Sequence, residues 1–171
     1  MTENPVIENI LARRSVRVFT DRGVEREKLT AVLETGRAAP SGLNNQPWRF
    51  VVVRDAGMKE RIAGLTRYPA MVRGANVLVA VLLHSESCYN RDKDMHGIGA
   101  CIENMWLAAR SLGLGMSWNG EVINRADEVL PLLDIEPGHE LMAVLCIGYP
   151  GDEPGGGKPR IALEKLILRE I

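Results

Sequence analysis

The chain has 171 residues, the size of a single domain. Apolar residues make up 46% and charged residues 25%, which excludes a disordered chain, a collagen-like repeat and a coiled-coil rod. The 21 basic and 22 acidic side chains nearly cancel, so the chain as a whole is no general nucleic-acid binder.

Val6, Ile7, Ile10 and Leu11 share one face of a helix predicted over 5–12, with Asn4 as N-cap and Pro5 in its first position. The stretch 13–20 breaks that period and is dense in arginine. A second helix is expected over 25–37, turning Leu29, Val32, Leu33 and Gly36 inward. Pro40, Gly42, Asn44, Asn45 and Pro47 punctuate a loop, and Phe50 to Val53 reads as a buried strand. A weaker helix is expected over 56–65, a second buried strand over Val77–Leu83, and a polar loop over 84–96. The strongest helical pattern runs over 98–112. There Ile98, Ile102, Met105, Ala109 and Leu112 form a narrow seam suited to another helix, with Gly113 at the C-cap. A short strand near Gly115–Trp118, a helix over about 125–133 capped by Asn124, and a third apolar strand over Leu141–Ile147 follow. The segment 148–159 is glycine-rich loop, and a last periodic piece spans Leu163–Ile171. Helices alternating with few strands predict an α/β or α+β fold, a small mixed sheet covered on both sides.

The longest apolar run, Val77–Leu83, is too short for a membrane span, and residues 1–5 lack the basic-then-apolar pattern of a signal peptide. Cys88, Cys101 and Cys146 are odd in number and widely spaced, which fits a reducing compartment. The expectation is a soluble cytoplasmic protein with no membrane partner and no nucleic-acid partner. His84, His96 and His139 lack metal-ligand spacing, so no metal site is expected. Gly97-Ile98-Gly99 lacks the third glycine of a dinucleotide fingerprint, and no local signature marks a Cys/His nucleophile.

Four constellations carry chemistry. Arg13-Arg14-Ser15-Val16-Arg17 puts three guanidinium groups and a hydroxyl within five residues, a match for phosphate oxygens or, read blandly, a solvated basic turn. Pro40-Ser41-Gly42-Leu43-Asn44-Asn45-Gln46-Pro47-Trp48 offers amides that suit a heterocycle edge, or serves only as a rigid connection. Ser117-Trp118-Asn119-Gly120 ends a strand where backbone can approach a ligand closely, or is a turn. Gly148-Tyr149-Pro150, with Lys158 and Arg160 beyond it, adds two cations to a Gly/Pro-rich arm, or is a mobile charged tail.

In this order the four pieces resemble the nitroreductase family of FMN-dependent oxidoreductases. The resemblance runs through R-R-S-x-R-x-F at Arg13 to Phe19, P-S-x-x-N-x-Q-P-W at Pro40 to Trp48, Ile102-Glu103-Asn104-Met105 leading to Leu112-Gly113-Leu114-Gly115, and Ile147 to Pro150 with Lys158-Pro159-Arg160. It implies one domain over 1–171 with a three-layer α/β sandwich, paired as an intertwined homodimer. Two FMN molecules would sit in clefts touched by both copies, and residues 160–171 would form an arm over the partner. Arg13, Arg14, Ser15 and Arg17 match the family's contacts to phosphate, ribityl chain and pyrimidine ring, and Lys158 and Arg160 match its C-terminal phosphate contacts. Pro40, Ser41, Gly42 and Asn44, with Gln46 in the same motif, match the wall from the other copy. Asn119 and Gly120 match the backbone near the reactive flavin edge, where Gly-Gly or Glu-Gly is commoner. The resemblance also implies that the 98–112 seam lies in or near the dimer contact.

No side chain is expected to act as nucleophile or obligatory base, because the flavin carries the chemistry. The implied reaction takes hydride from NAD(P)H and gives it to a flat, electron-poor small molecule such as a nitroaromatic or quinone, by ping-pong exchange. A specialised flavin enzyme (dehalogenase, desaturase or flavin-fragmenting) and a non-catalytic flavin-binding redox module are the alternative readings.

Overall fold

The computed structural model describes residues 4–151 and 159–171. A four-stranded sheet lies at its centre, with β1 (Trp48–Val53), β2 (Val77–His84), β3 (Gly115–Asn119) and β4 (His139–Gly148) in the order β1-β2-β4-β3. All three ladders are antiparallel. The one parallel pairing in the described residues is an isolated bridge from Ser15 to Met116 of β3, so the mixed character expected of the sheet is confined to that point.

β2 is buried along almost its whole length, and its alternation divides the core in two. Val77, Val79, Val81 and Leu83 face one layer, built from α2 (Arg26–Arg37) and α5 (Arg91–Ser111). Leu78, Ala80 and Leu82 face the other, covered by α3 (Ala56–Ala63), α4 (Pro69–Gly74) and α6 (Ala126–Leu132). Three layers follow, as the composition of the strands requires.

The helical seam lies inside this core. Ile98, Ile102, Met105 and Ala109 are at most 3% exposed and pack within the chain's own first layer, with half-buried Leu112 beside them. The seam side chains therefore do not themselves lie in a dimer contact: their partner helix is α2 of the same chain. A Cβ on Gly36 would lie 2.7 Å from Met105 Cγ, so glycine is what lets α2 approach α5 this closely.

α5 starts at Arg91, inside the stretch expected to be loop. Asn90 accepts from the Lys93 N–H at 3.1 Å, and Asp92 and Asp94 occupy the first turn. The first two turns are polar, so apolar period could not reveal them. α4 has six residues, too few for a period, and starts at Pro69. Asn124 does not cap α6: it sits in the 3-10 turn Glu121–Arg125 that leads into it. Gly113, at φ +77, ends α5 in the left-handed conformation its position demanded.

α1 (Pro5–Ala12) forms as read, with the Asn4 side chain accepting from the Val6 and Ile7 N–H groups. Its apolar face stays uncovered, and none of its residues is buried. The piece expected to be periodic over 163–171 holds only the 3-10 turn Leu163–Lys165, and its large apolar side chains are exposed. Among the described residues no helix is long and apolar enough to cross a membrane.

Candidate functional site

The arginine-rich segment is zipped between two pieces of the fold. The Val16 N–H donates to the Met116 carbonyl of β3 at 3.1 Å. Phe19 pairs with Pro150, the Thr20 N–H donates to Tyr149 O at 2.9 Å, and the Gly151 N–H donates to Val18 O at 3.0 Å. The basic turn, the start of β3 and Gly148–Pro150 therefore meet at one end of the molecule, while Asn119 and Gly120 of the third constellation lie at the other end of β3.

A latch closes this junction. The Tyr149 hydroxyl donates to Glu25 Oε2 at 2.7 Å and accepts from Lys28 Nζ at 2.9 Å, and Lys28 also donates to Leu112 O at 2.8 Å. The Arg22 guanidinium stands 3.9 Å from the Tyr149 ring centroid. The Tyr149 hydroxyl first, then a backbone N–H and Arg22, hold the Glu25 carboxyl down at about 2.

Beside the junction lies a cleft of about 240 Å3, lined by Arg14, Val16, Trp106, Arg110, Gly113–Met116 and Pro150. Among the described residues its two cations meet only neutral oxygens. Arg14 donates to the Leu11 and Arg13 carbonyls at 2.8 Å each. Arg110 donates to Asn9 Oδ1 at 2.7 Å. Arg13 is already engaged, 4.3 Å above Trp106 and 3.5 Å from a Glu103 carboxylate oxygen. Extended backbone turns Ser15 and Arg17 away from the face that carries Arg14 and Val16. Ser15 is half-buried, and Arg17 and Arg160 are exposed. Lys158 lies outside the described residues.

The Pro40–Gln46 loop is elsewhere. Ser41 Oγ accepts from the Gln46 N–H at 3.1 Å, and Gln46 Nε2 donates to Asn44 O at 3.1 Å. Leu43, Asn44 and Gln46 all take positive φ, a strained run for residues other than glycine. A side chain at Gly42 would collide with the Tyr89 ring, and exposed Pro40 lies over Gly97. Asn45 ties the loop down by donating to Asp94 Oδ1 and Ser87 O at 2.8 Å each. Burial alone would push the Asp94 carboxyl up, but Cys88, Asn45 and the Asn90 and Tyr89 N–H groups outweigh it and hold it below its usual range. This anchor sits on the first turns of α5, whereas the cationic cleft sits on its last turn. From Gly97 to Arg110 is about 20 Å of helix rise. One chain thus holds the two sets apart.

At the far end of β3, Asn119 is 2% exposed. Its Nδ2 donates to Thr66 Oγ1 at 3.1 Å, Thr66 donates to Glu121 Oε2 at 2.7 Å, and the Arg67 N–H donates to the same oxygen at 2.9 Å. The Arg67 N–H, then Thr66, keep the Glu121 carboxyl below its usual range against the opposing effect of burial. Asn119 therefore uses its amide inside the fold. Because Met116 turns its carbonyl away from β4, strand alternation turns the backbone of Trp118 outward as well, while Gly120, beyond the strand, gives its carbonyl to the Ile123 N–H at 3.2 Å. The backbone, not the Asn119 side chain, faces the open edge.

Sequence reasoning missed Trp106, Arg110, Asn9, Thr66 and Asp94. One signal was legible. Glu103, Trp106 and Arg110 recur at three and four residues along one flank of α5, beside the apolar seam. Burial pushes the Cys101 and Cys146 thiols up to about 12, and Asp94 raises that of Cys88, so no activated thiol stands among the cysteines. Among the described residues no cluster of three or more His, Cys, Asp or Glu is placed to hold a metal.

The model of the nitroreductase family matches residues 10–68 and 64–149. A Methanothermobacter thermautotrophicus protein, provisionally named NADH dehydrogenase/NAD(P)H nitroreductase, is 35% identical over 94% of this chain and 87% of its own length. A provisionally named nitroreductase from Desulfovibrio desulfuricans, solved in complex with FMN, is 44% identical and superposes with a TM-score of 0.94 over 99% of both chains. The NADPH:FMN oxidoreductase of Vibrio harveyi, solved with NAD+, is 26% identical with a TM-score of 0.89, covering 98% of this chain and 78% of that one. With its fold, its zipped basic turn and its motifs in the family's order, this chain belongs to the nitroreductase family.

Proposed function

We propose that this chain is an FMN-dependent oxidoreductase that takes hydride from NAD(P)H and passes it, by ping-pong exchange, to a flat electron-poor acceptor such as a nitroaromatic or quinone. The observation that carries the reading is the convergence of the basic turn, the β3 strand and the end of β4 on one cleft whose two guanidinium groups have no carboxylate partner among the described residues. A phosphate dianion fits that charge. When bound, FMN supplies hydride acceptance and donation at its N5.

The chain's residues then bind and orient. Arg14 meets the phosphate, with Arg13, Lys158 and Arg160 adding cationic charge around it. Ser15 and Arg17, on the opposite face of the extended turn from Arg14, are assigned by the family resemblance to the ribityl chain and pyrimidine ring, where a guanidinium favours the reduced, anionic flavin. The outward backbone at Trp118, next to Asn119 and Gly120, lies along the reactive edge. Pro40, Ser41, Gly42, Asn44 and Gln46 supply the opposite wall from a second copy, which agrees with their distance from the cleft within one chain.

The homodimer has independent support. Val6, Ile7, Ile10 and Leu11 of α1 are all more than 40% exposed, and Ile161, Leu163, Leu166, Ile167, Leu168 and Ile171 of the arm are all exposed. Two apolar surfaces of that kind call for a cover. A groove of about 540 Å3 between α2 and edge strand β1, lined by Val24, Leu29, Leu33 and Val52, offers the partner's arm a seat. The whole chain acts as one domain, with 160–171 as that arm.

The purified protein is expected to be yellow, with a flavin spectrum at one FMN per chain, and to bleach on anaerobic titration with NADH or NADPH. A colourless protein that takes up no FMN contradicts the reading, and an FMN-loaded protein that neither nicotinamide reduces removes its donor.

A further inference from the structure

Arg110 belongs to none of the motifs that carry the family resemblance, yet it lines the same cleft as Arg14. Its surroundings are built. Asn9 Nδ2 donates to Leu107 O at 2.9 Å, which fixes the amide and aims Asn9 Oδ1 at Arg110, 2.7 Å away. That bond uses one N–H of a group that carries five. No carboxylate among the described residues pairs with Arg110, and Glu103 on the same flank of α5 is engaged with Arg13. Two like charges facing one small cleft repel each other unless an anion stands between them.

We propose that Arg110, positioned by Asn9, is a second phosphate-binding guanidinium of this cleft and selects a flavin that carries a phosphate monoester over one that does not. The inference rests on the FMN reading and adds to it. Arg14 and Arg110 approach the phosphate from two elements, the turn after α1 and the last turn of α5. Asn9, on α1, ties those elements together. Trp106, between them, gives the cleft an apolar wall that keeps water from competing for the guanidinium donors.

The test titrates flavin-stripped protein with FMN and with riboflavin, which lacks the phosphate. The wild-type chain prefers FMN. Arg110→Ala weakens FMN about 10- to 100-fold, the range for a lost charge-assisted hydrogen bond, and leaves riboflavin within about twofold. Arg110→Lys keeps the charge and recovers part of the loss, and Asn9→Ala weakens FMN less than Arg110→Ala does. If Arg110→Ala does not fold, the nearly isosteric Arg110→Gln carries the same prediction. Equal weakening of both flavins, or unchanged FMN affinity, overturns the proposal. A wild-type chain that binds FMN and riboflavin equally well also overturns it but leaves a flavin protein, whereas one that binds neither removes the FMN reading with it.

Discussion

The α5 seam and the α1 face look alike as patterns, since both place apolar residues at helical spacing. The first is buried inside its own chain, to within 3% at every position but half-buried Leu112, and the second is uncovered. The contrast shows what periodicity can and cannot say. It marks a face that water disfavours, but not which chain covers it. The seam is covered by α2 and the sheet of its own chain. Among the described residues the α1 face and the 161–171 arm have no apolar cover of their own and, in our reading, await a second copy.

The sharpest way to break that contrast is to place the same charge on both faces. Met105→Asp puts a carboxylate where the residue it replaces is fully buried against Gly36, and should cost at least about 3 kcal/mol in urea unfolding, enough to threaten the fold. Asp at Ile167 and Leu168 together should leave the single chain within about 0.5 kcal/mol of wild type, because both positions are exposed, while converting the protein to a monomer by sedimentation. A folded Met105→Asp chain, or an unfolded arm variant, would reverse the assignment of the two faces. Gly36→Ala should cost about 1–3 kcal/mol by forcing Met105 aside without changing the oligomer.

The smallest effect concerns the latch beside the cleft. Glu25 is held at about 2 against an ordinary 4.5, so its contribution to stability is present above 4.5 and is lost as pH falls from there toward about 2. Melting temperatures of wild type and Glu25→Gln should differ most above that window and converge on acidification through it. A difference that stays constant across the window contradicts the role given to Tyr149 and Arg22.

The sheet and its main helices were legible because they obey period: the four strands, α2 and the apolar half of α5 announce themselves. What period could not reach was polar or short. The first turns of α5 declare themselves only through the Asn90 cap and the acids at Asp92 and Asp94, and α4 only through Pro69 and two buried residues. The site divides in the same way. The arginine turn and the Pro40–Gln46 loop are contiguous and therefore readable. Trp106, Arg110 and Thr66 meet those motifs only after folding, from positions about 50 to 100 residues away, and Asn9 stands out only through its bond to Arg110; beyond the spacing of Glu103, Trp106 and Arg110, nothing local distinguishes them from ordinary helix and loop residues. Asn119 was identified as a residue near the flavin edge, yet its direction was set by Thr66, which no spacing rule connects to it.

The central claim is that two copies must build the cleft together, because one chain keeps its cationic end and its Pro40–Gln46 wall about 20 Å apart along α5. Sedimentation velocity, recorded at a flavin wavelength across a dilution series that dissociates the protein, tests this directly. The account predicts that bound FMN sediments only with the dimer and is released as the dimer comes apart. FMN that sediments at full stoichiometry with the monomer would contradict it.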